Sequence, residues 1–191
     1  MAQDPRPRRP QRRGSRDVLE NRAALGKRVV VIGGGAVGME TALFIAKQGP
    51  MSAESAVFLA SGGALDAETA VNLTRKGPQV TILEMLDRIG QDMGPTTRAS
   101  VRFHLRLHEV KVVTKATARG ITEAGVVYER DGKEELAEAD TVVIATGSKS
   151  ESALYDALHG ALPEVYRIGD CVKARTACEA IEEAALIARK I

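Results

Sequence analysis

A short glycine-rich segment is the feature of this sequence whose spacing most clearly predicts chemistry. It has the pattern Gly-x-Gly-x-x-Gly and directly follows the β-branched run Arg28–Ile32. In such a pattern the first glycine permits a tight turn, the second lets the backbone approach a pyrophosphate, and the third lets a helix pack against the strand. The free N–H groups at the start of that helix attract phosphate. We therefore predict a dinucleotide-binding turn, with a purely structural turn as the alternative; its residues are Gly33, Gly34, Gly35, Ala36, Val37 and Gly38.

A carboxylate follows the second predicted strand, Val80–Leu83. At this position Glu84 can accept hydrogen bonds from the adenosine ribose hydroxyls and repel a 2′-phosphate, which favours NADH over NADPH. Glu84 lies 46 residues after Gly38, but 28 of these form the insertion 50–77, and the remaining 18 approach the usual spacing of about 20. Arg88 leaves the choice open, because an arginine there can pair with a 2′-phosphate or stack on adenine. A solvated strand-end carboxylate is the alternative for Glu84.

A third candidate segment lies at the end of the predicted core strand Thr141–Ala145. Ligands of open α/β sheets bind at the carboxyl ends of the strands. We therefore predict that Thr146 and Gly147 contact the cofactor, with Gly147 allowing close approach of the backbone. A glycine that simply ends the strand is the alternative.

The elements that must position these residues alternate between buried strands and helices. Asp131-Gly132 between alternating runs predicts a hairpin, so a small antiparallel meander replaces one crossover helix. The predicted fold is an α/β, Rossmann-like parallel sheet with a β-meander crossover, the three-layer FAD/NAD(P)-binding fold. Its other predicted elements are helices at Val37–Gln48, Thr97–Leu107 and Thr176–Lys190, two short helices within 50–77, and strands at Lys111–Lys115, Ala118–Ile121, Val126–Arg130, Glu134–Ala137 and Val165–Ile168.

Composition and charge limit the classes of partner. The formal net charge is +2, but residues 1–16 hold six arginines against one aspartate, so the rest of the chain stands at −3. Residues 17–191 show no basic face that would bind nucleic acid. No apolar run approaches the roughly 18 residues that span a bilayer. Cys171 and Cys178 are too few for a disulfide framework and favour a reduced, cytoplasmic setting. We expect neither nucleic acid nor a membrane as partner, and a disordered basic tail at residues 1–16.

Four segments in their observed order resemble a known family. Together they resemble the C-terminal part of the enoate reductase and 2,4-dienoyl-CoA reductase family, relatives of trimethylamine dehydrogenase in the old yellow enzyme group. The resemblance covers residues 17–191. The segments that carry it are Val29–Gly38, Val80–Glu84, Ala145–Gly147 and Tyr166–Cys171.

This resemblance implies that the glycine turn and Glu84 hold a nicotinamide cofactor. It also implies that Gly169 and Asp170 belong to the second FAD-binding motif, with Asp170 accepting a hydrogen bond from the ribityl chain or lying near the pyrophosphate. Only one of the family's two glycine-rich turns is present in this sequence. The family's barrel and its iron–sulfur cysteines are both missing from it. We therefore expect an NAD(H)-binding domain at 17–150 and the C-terminal segment of an incomplete FAD-binding domain at 151–191.

The function that this resemblance implies is transfer of hydride from NADH to FAD, with no catalytic side chain. FAD is a second candidate cofactor, but its site is incomplete in this chain, so we expect no activity from the chain alone. Two alternatives stay open. One is a non-catalytic NAD(H)-binding module, and the other is a fragment whose flavin site a flavin-containing partner chain or domain completes.

Overall fold

The computed structural model describes residues 10–49, 51–75 and 77–191. The strands within them are β1 (Gln11–Gly14), β2 (Arg28–Ile32), β3 (Gln79–Leu83), β4 (Lys111–Val113), β5 (Thr117–Ile121), β6 (Gly125–Arg130), β7 (Lys133–Glu138) and β8 (Thr141–Ile144). The helices are α1 (Ser15–Leu19), α2 (Ala36–Ala46), α3 (Ala53–Ser61), α4 (Ala67–Arg75), α5 (Pro95–Leu107), α6 (Ala153–Leu158) and α7 (Ala177–Ala188), with a 3-10 turn at Gly169–Cys171.

Five parallel strands form the main sheet, in the order β1-β8-β2-β3-β4. The central strand β2 pairs with β3 on one side and β8 on the other, so Val31 stands opposite both Ile82 and Val143. Strands β5, β6 and β7 form a separate antiparallel sheet between β4 and β8 along the chain. The predicted α/β fold with a meander in place of one crossover helix is therefore confirmed.

Both faces of the main sheet are covered, which explains its continuous β-branched strands. Val29 and Val31 are buried against the helices, where they share a cluster with Met39 of α2. Val30 points to the opposite face and is buried with Val126 of the meander. Successive side chains of a strand alternate between faces, so a strand buried on both sides needs apolar residues throughout. This packing holds the carboxyl end of β2, and the turn after it, between two rigid layers.

Polar contacts fasten the meander at the opposite end of the sheet. The Arg28 guanidinium donates to Asp140 Oδ1 at 2.7 Å and to Glu138 Oε2 at 2.5 Å, and the Arg28 backbone N–H donates to Asp140 Oδ2 at 2.9 Å. The hydrogen bond from Arg28 lowers the pKa of Asp140 below its ordinary value. Within the meander, Tyr128 is buried and its hydroxyl donates to Glu135 at 2.7 Å. Burial, followed by that hydrogen bond, raises the pKa of Tyr128 to about 12.

Two sequence predictions are wrong. Gln11–Gly14, expected in a disordered tail, form β1 and pair in parallel with β8, and α1 begins at Ser15. Strand pairing uses backbone N–H and C=O groups, so an arginine-rich segment can add to a sheet edge, where charged side chains are tolerated. Residues 1–9 lie outside the described residues. Val165–Ile168, expected to be a strand, is irregular, and the first regular structure after it is the 3-10 turn.

The chain divides into two compact units, the first ending at Thr146 and the second comprising Gly147–Ile191. The sequence placed this boundary four residues later. The insertion forms α3 and α4, as its pattern predicts, although residues 50 and 76 lie outside the described ones. Asp66 caps α4 by accepting the Thr69 N–H at 2.8 Å. Among the helices of residues 10–49, 51–75 and 77–191, none combines the length and apolarity needed to cross a membrane.

Candidate nucleotide-binding site

The glycine turn, Gly33–Gly38, leaves β2 at the carboxyl edge of the main sheet. Gly33 has φ +107° and its N–H donates to the Leu83 carbonyl of β3 at 2.9 Å. A Cβ at Gly33 would collide with the carbonyl of Ala145, and a Cβ at Gly38 would fall on the carbonyl oxygen of Gly33. The turn is therefore held between the ends of β3 and β8, and two of its glycines are required by backbone contacts.

The first turn of α2 follows Gly35, which is its N-cap residue and has no side chain to cap it. The helix runs for 11 residues, so its N-terminus carries free N–H groups and a partial positive charge. The Ala36 N–H donates to both carboxylate oxygens of Asp92, at 2.9 Å to Oδ1 and 3.0 Å to Oδ2. A Cβ at Gly35 would lie 3.0 Å from Asp92 Oδ2. An anionic group thus fits against Ala36, on the side that Gly35 leaves open.

Glu84 is buried at the end of β3, with 8% of its surface exposed. Its Oε2 accepts the Gly34 N–H at 2.6 Å, and its Oε1 accepts the Leu86 N–H at 2.8 Å. The interpretation of Glu84 as a merely solvated carboxylate is therefore wrong. A carboxylate has about four acceptor positions, so each oxygen keeps one for a further donor such as a ribose hydroxyl.

Gly34 stands inside the glycine pattern but is not one of its three defining positions. A Cβ there would lie 2.6 Å from Cγ2 of Ile89 and 3.0 Å from Cβ of Glu84. The Gly34 carbonyl also accepts the Gly90 N–H at 2.7 Å. Gly34 is consequently in contact with the loop that follows β3, residues Glu84–Gly94, which we call the β3–α5 loop.

Arg88 lies in the same loop, and its side chain is exposed to solvent. Its side chain is 72% exposed, and its nearest carboxylate is Asp87, with Nε and Oδ2 3.4 Å apart. It borders a cavity of 340 Å³ that is also lined by Arg102 and Arg106 of α5. The two roles predicted for Arg88, pairing with a 2′-phosphate or stacking on adenine, both stay predictions.

Thr146 directly follows Ala145, whose carbonyl touches the turn, so the structure brings Thr146 beside Gly33. Gly147 has φ +104°, and a Cβ there would meet nothing within 4 Å. Its backbone conformation is what favours glycine at this position. Close approach of a cofactor to Gly147 stays a prediction.

The remaining predicted residues lie in the second unit. Gly169, with φ +61°, begins the 3-10 turn, and its N–H donates to Glu183 Oε2 at 2.7 Å. Asp170 is exposed and its Oδ1 accepts the Arg175 N–H at 3.1 Å. Arg175 also hydrogen-bonds to Glu183, and this bond, followed by the one from Gly169, lowers the pKa of that carboxyl. Asp170 is thus built into a turn, and the flavin contact predicted for it stays a prediction.

Sequence reasoning missed Asp92, Ile89 and Gly90 as neighbours of the glycine turn. Asp92 is separated from Ala36 by 56 residues, and it stands three residues before Pro95, where an acidic residue ordinarily suggests a cap for the following helix. No local signal distinguishes these two roles. Within the part of the chain that the structure describes, no cluster of His, Cys, Asp or Glu side chains could hold a metal ion.

Comparisons with known proteins agree with this geometry. The family model described as pyridine nucleotide-disulphide oxidoreductase matches residues 8–185. The chain is 38% identical over 169 residues to a metal reductase of Desulforamulus reducens, covering 88% of this chain and 25% of that protein. It is 30% identical over 178 residues to a cinnamate reductase of Clostridium sporogenes, covering 92% and 23%.

A solved structure of 2-naphthoyl-CoA reductase, in complex with 2-naphthoyl-CoA, superposes with a TM-score of 0.70 at 29% identity, over 94% of this chain and 23% of that one. The chain therefore spans about a quarter of the length of these relatives. The matched region includes the glycine turn, the β3–α5 loop and the meander. The chain belongs to the pyridine nucleotide-disulphide oxidoreductase family.

Proposed function

We propose that this chain is the NADH-binding part of a flavin-dependent oxidoreductase of the enoate reductase and 2,4-dienoyl-CoA reductase group. The observation that carries the proposal is the glycine turn at the carboxyl end of the central strand, with the N-terminus of an 11-residue helix behind it and a buried carboxylate beside it. Family membership supports a pyridine nucleotide and a flavin as the cofactors. Three similar proteins are reductases by name, acting on metals, cinnamate and 2-naphthoyl-CoA.

The residues at the turn fit a pyrophosphate. The Ala36 N–H already donates to the carboxylate of Asp92, so the space in front of this N–H can hold an anionic group. Gly35 has no Cβ, so a phosphate can approach the backbone at this position. In this role the protein contributes backbone donors and the positive end of α2, and no side chain needs to transfer a proton.

Glu84 supports NADH over NADPH. Its carboxylate is fixed by two backbone N–H groups, so it presents its free acceptor positions in a constant orientation. Ribose hydroxyls can donate to these positions, whereas a 2′-phosphate would place further negative charge beside a buried carboxylate.

The flavin part of the proposal concerns the second unit. Gly169 and Asp170 would contact FAD, and the rest of the flavin site would come from a flavin-containing chain or domain. The chain spans about a quarter of its relatives' length, which supports such a partner. When bound, the nicotinamide supplies a hydride to the flavin, and the protein's contribution is to hold and orient the two cofactors.

The test is calorimetric titration of the full chain with NADH and with NADPH, on wild type, Gly35→Ala and Gly94→Ala. Gly35 has φ −69°, which alanine adopts, and its added Cβ would meet only the mobile end of Asp92. Gly35→Ala should therefore fold but lose a phosphate hydrogen bond, weakening NADH binding by about ten-fold or more. Gly94→Ala is the matched control, because a Cβ there meets nothing within 4 Å.

Each unfavourable outcome has a distinct meaning. Binding of neither nucleotide by wild type would refute the cofactor assignment. Tighter binding of NADPH than NADH would refute the role of Glu84. Equal weakening by Gly35→Ala and Gly94→Ala would show that the glycine turn is not the phosphate site.

A second candidate is a module that holds NAD(H) without turnover. It is favoured by the single glycine-rich fingerprint of this sequence, at Gly33–Gly38. The visible absorbance of flavin in the purified chain separates the two: yellow protein that NADH bleaches supports the oxidoreductase, and colourless protein that binds NADH supports the module.

A further inference from the structure

A backbone donor at the proposed phosphate site, the Ala36 N–H, is already paired within the protein. Both oxygens of Asp92 accept the Ala36 N–H, at 2.9 Å and 3.0 Å. The same carboxylate faces the open side of Gly35, 3.0 Å from where a Cβ would lie. A carboxylate at the N-terminus of a helix makes the same interactions with the N–H groups and the helix dipole as a phosphate does. Asp92 therefore stands where an oxyanion of the ligand would stand.

The β3–α5 loop that carries Asp92 is held by buried contacts at its first residues, whereas Asp92 itself is exposed. The buried residues Glu84 and Ile89 contact Gly34, and the Gly90 N–H donates to the Gly34 carbonyl. Asp92 itself is exposed, and within the described part of the chain its carboxylate accepts hydrogen bonds only from the Ala36 N–H. Its side chain can thus leave Ala36 without disturbing any buried contact of the loop.

We propose that Asp92 is an internal competitor of the dinucleotide pyrophosphate at the N-terminus of α2. This inference rests on the proposed function. In the nucleotide-free protein Asp92 pairs with Ala36, and the incoming pyrophosphate must displace it. The displaced carboxylate then remains near a ligand of the same charge. Asp92 thereby weakens nucleotide affinity and returns to Ala36 when the nucleotide leaves.

The substitution that isolates this effect is Asp92→Ala. A carboxylate at an exposed helix N-terminus has an interaction energy that corresponds to roughly a two- to five-fold change in an equilibrium constant. Removing it should tighten NADH binding by that factor. It should also lower the melting temperature of the nucleotide-free chain by roughly 1–4 °C, because α2 loses the anion at its N-terminus. A residue that merely supports the site would lower stability and affinity together.

Asp87→Ala is the matched control. Asp87 lies in the same loop and carries the same charge, but among the described residues it accepts side-chain hydrogen bonds from Arg88 and Gln91 and none from the glycine turn. Its removal changes the net charge near the site equally, so it should change NADH affinity by less than about two-fold. Asp92→Asn, which keeps an acceptor oxygen but no charge, should fall between wild type and Asp92→Ala.

The experiment measures dissociation constants for NADH and for ADP-ribose by calorimetry, together with the backbone amide resonance of Ala36 in the nucleotide-free protein. We expect tighter binding of both ligands by Asp92→Ala, and a shift of the Ala36 resonance that Asp87→Ala does not produce. Unchanged or weaker binding by Asp92→Ala, with wild type still binding NADH, would overturn the inference and leave the proposed function intact. Failure of wild type to bind either ligand would overturn both.

Discussion

Replacing Glu84 by glutamine tests whether this carboxylate stabilises the fold around the glycine turn as well as a bound nucleotide. Glu84 accepts two backbone N–H groups, one per oxygen, from Gly34 and Leu86. Glutamine has a single acceptor oxygen, so one of these N–H groups would face an NH₂ group. A buried donor without a partner costs about 1–3 kcal/mol.

The position of the two donors decides where in this range the cost falls. The bond to Gly34 is buried, whereas the bond to Leu86 is only partly buried. Glutamine should therefore turn its oxygen to Gly34 and leave the Leu86 N–H to water, which places the cost near 1 kcal/mol. For a chain of this size that corresponds to a fall in melting temperature of about 2–4 °C.

Thermal and urea unfolding of Glu84→Gln and Glu40→Gln measure this cost. Glu40 is an exposed carboxylate on α2 and has no hydrogen bond within the described residues, so its variant should lie within about 0.5 kcal/mol of wild type. If Glu84→Gln unfolds together with Glu40→Gln, the structural role assigned to Glu84 is wrong. Below the unfolding transition, Glu84→Gln should also reduce the preference for NADH over NADPH, since the repelling charge is gone.

Three further changes test the turn and the meander. Gly38→Ala places a Cβ on a backbone carbonyl that cannot move away, so it should cost more than about 3 kcal/mol in urea unfolding. Gly94→Ala should cost about 1 kcal/mol or less, because its Cβ meets nothing and only the N-cap preference of α5 is lost. Arg28 holds the pKa of Asp140 below its ordinary value. The stabilisation from this half-exposed pair is therefore present above about pH 4 and disappears as pH falls through the lowered pKa. Asp140→Asn should be less stable than wild type by less than about 1 kcal/mol at neutral pH and equally stable in acid. Burial raises the pKa of Tyr128 to about 12, so the stabilisation from its protonated hydroxyl is present below about pH 10 and is lost as pH rises further. In a pH titration followed by tyrosinate absorbance, Tyr128→Phe should lack the transition near pH 12 that wild type shows. A transition near pH 12 in this variant would contradict the assignment.

The main sheet and the glycine turn could be predicted because their signals are local. A run such as Arg28–Ile32 is apolar on both faces, and the glycines follow it immediately, so strand, turn and helix are specified within a few residues. The position of Glu84 at the end of the second strand could be predicted from its distance to Gly38 once the insertion was subtracted. The reason is that α3 and α4 add chain length without separating β2 from β3 in the sheet.

The edge strand β1 could not be predicted by the same reasoning. Its residues Gln11–Gly14 have no apolar alternation, because the strand is held by backbone pairing with β8 and not by burial of one face. The charged composition that predicted disorder is also what an exposed edge strand tolerates. Composition alone cannot separate these two states when the neighbouring strand is contributed by residues 130 positions away.

The contacts of the β3–α5 loop were hidden for a different reason. Glu84, Ile89 and Asp92 all touch the glycine turn, yet each contact joins residues that are about 50 or more positions apart. The glycine pattern predicts that a phosphate fits, because that depends on the turn's own backbone. How tightly it binds depends also on what already occupies the Ala36 N–H and how rigidly Gly34 is held, and both are set by the loop. Two chains with the same six-residue turn can therefore differ in nucleotide affinity through a loop that the pattern does not include.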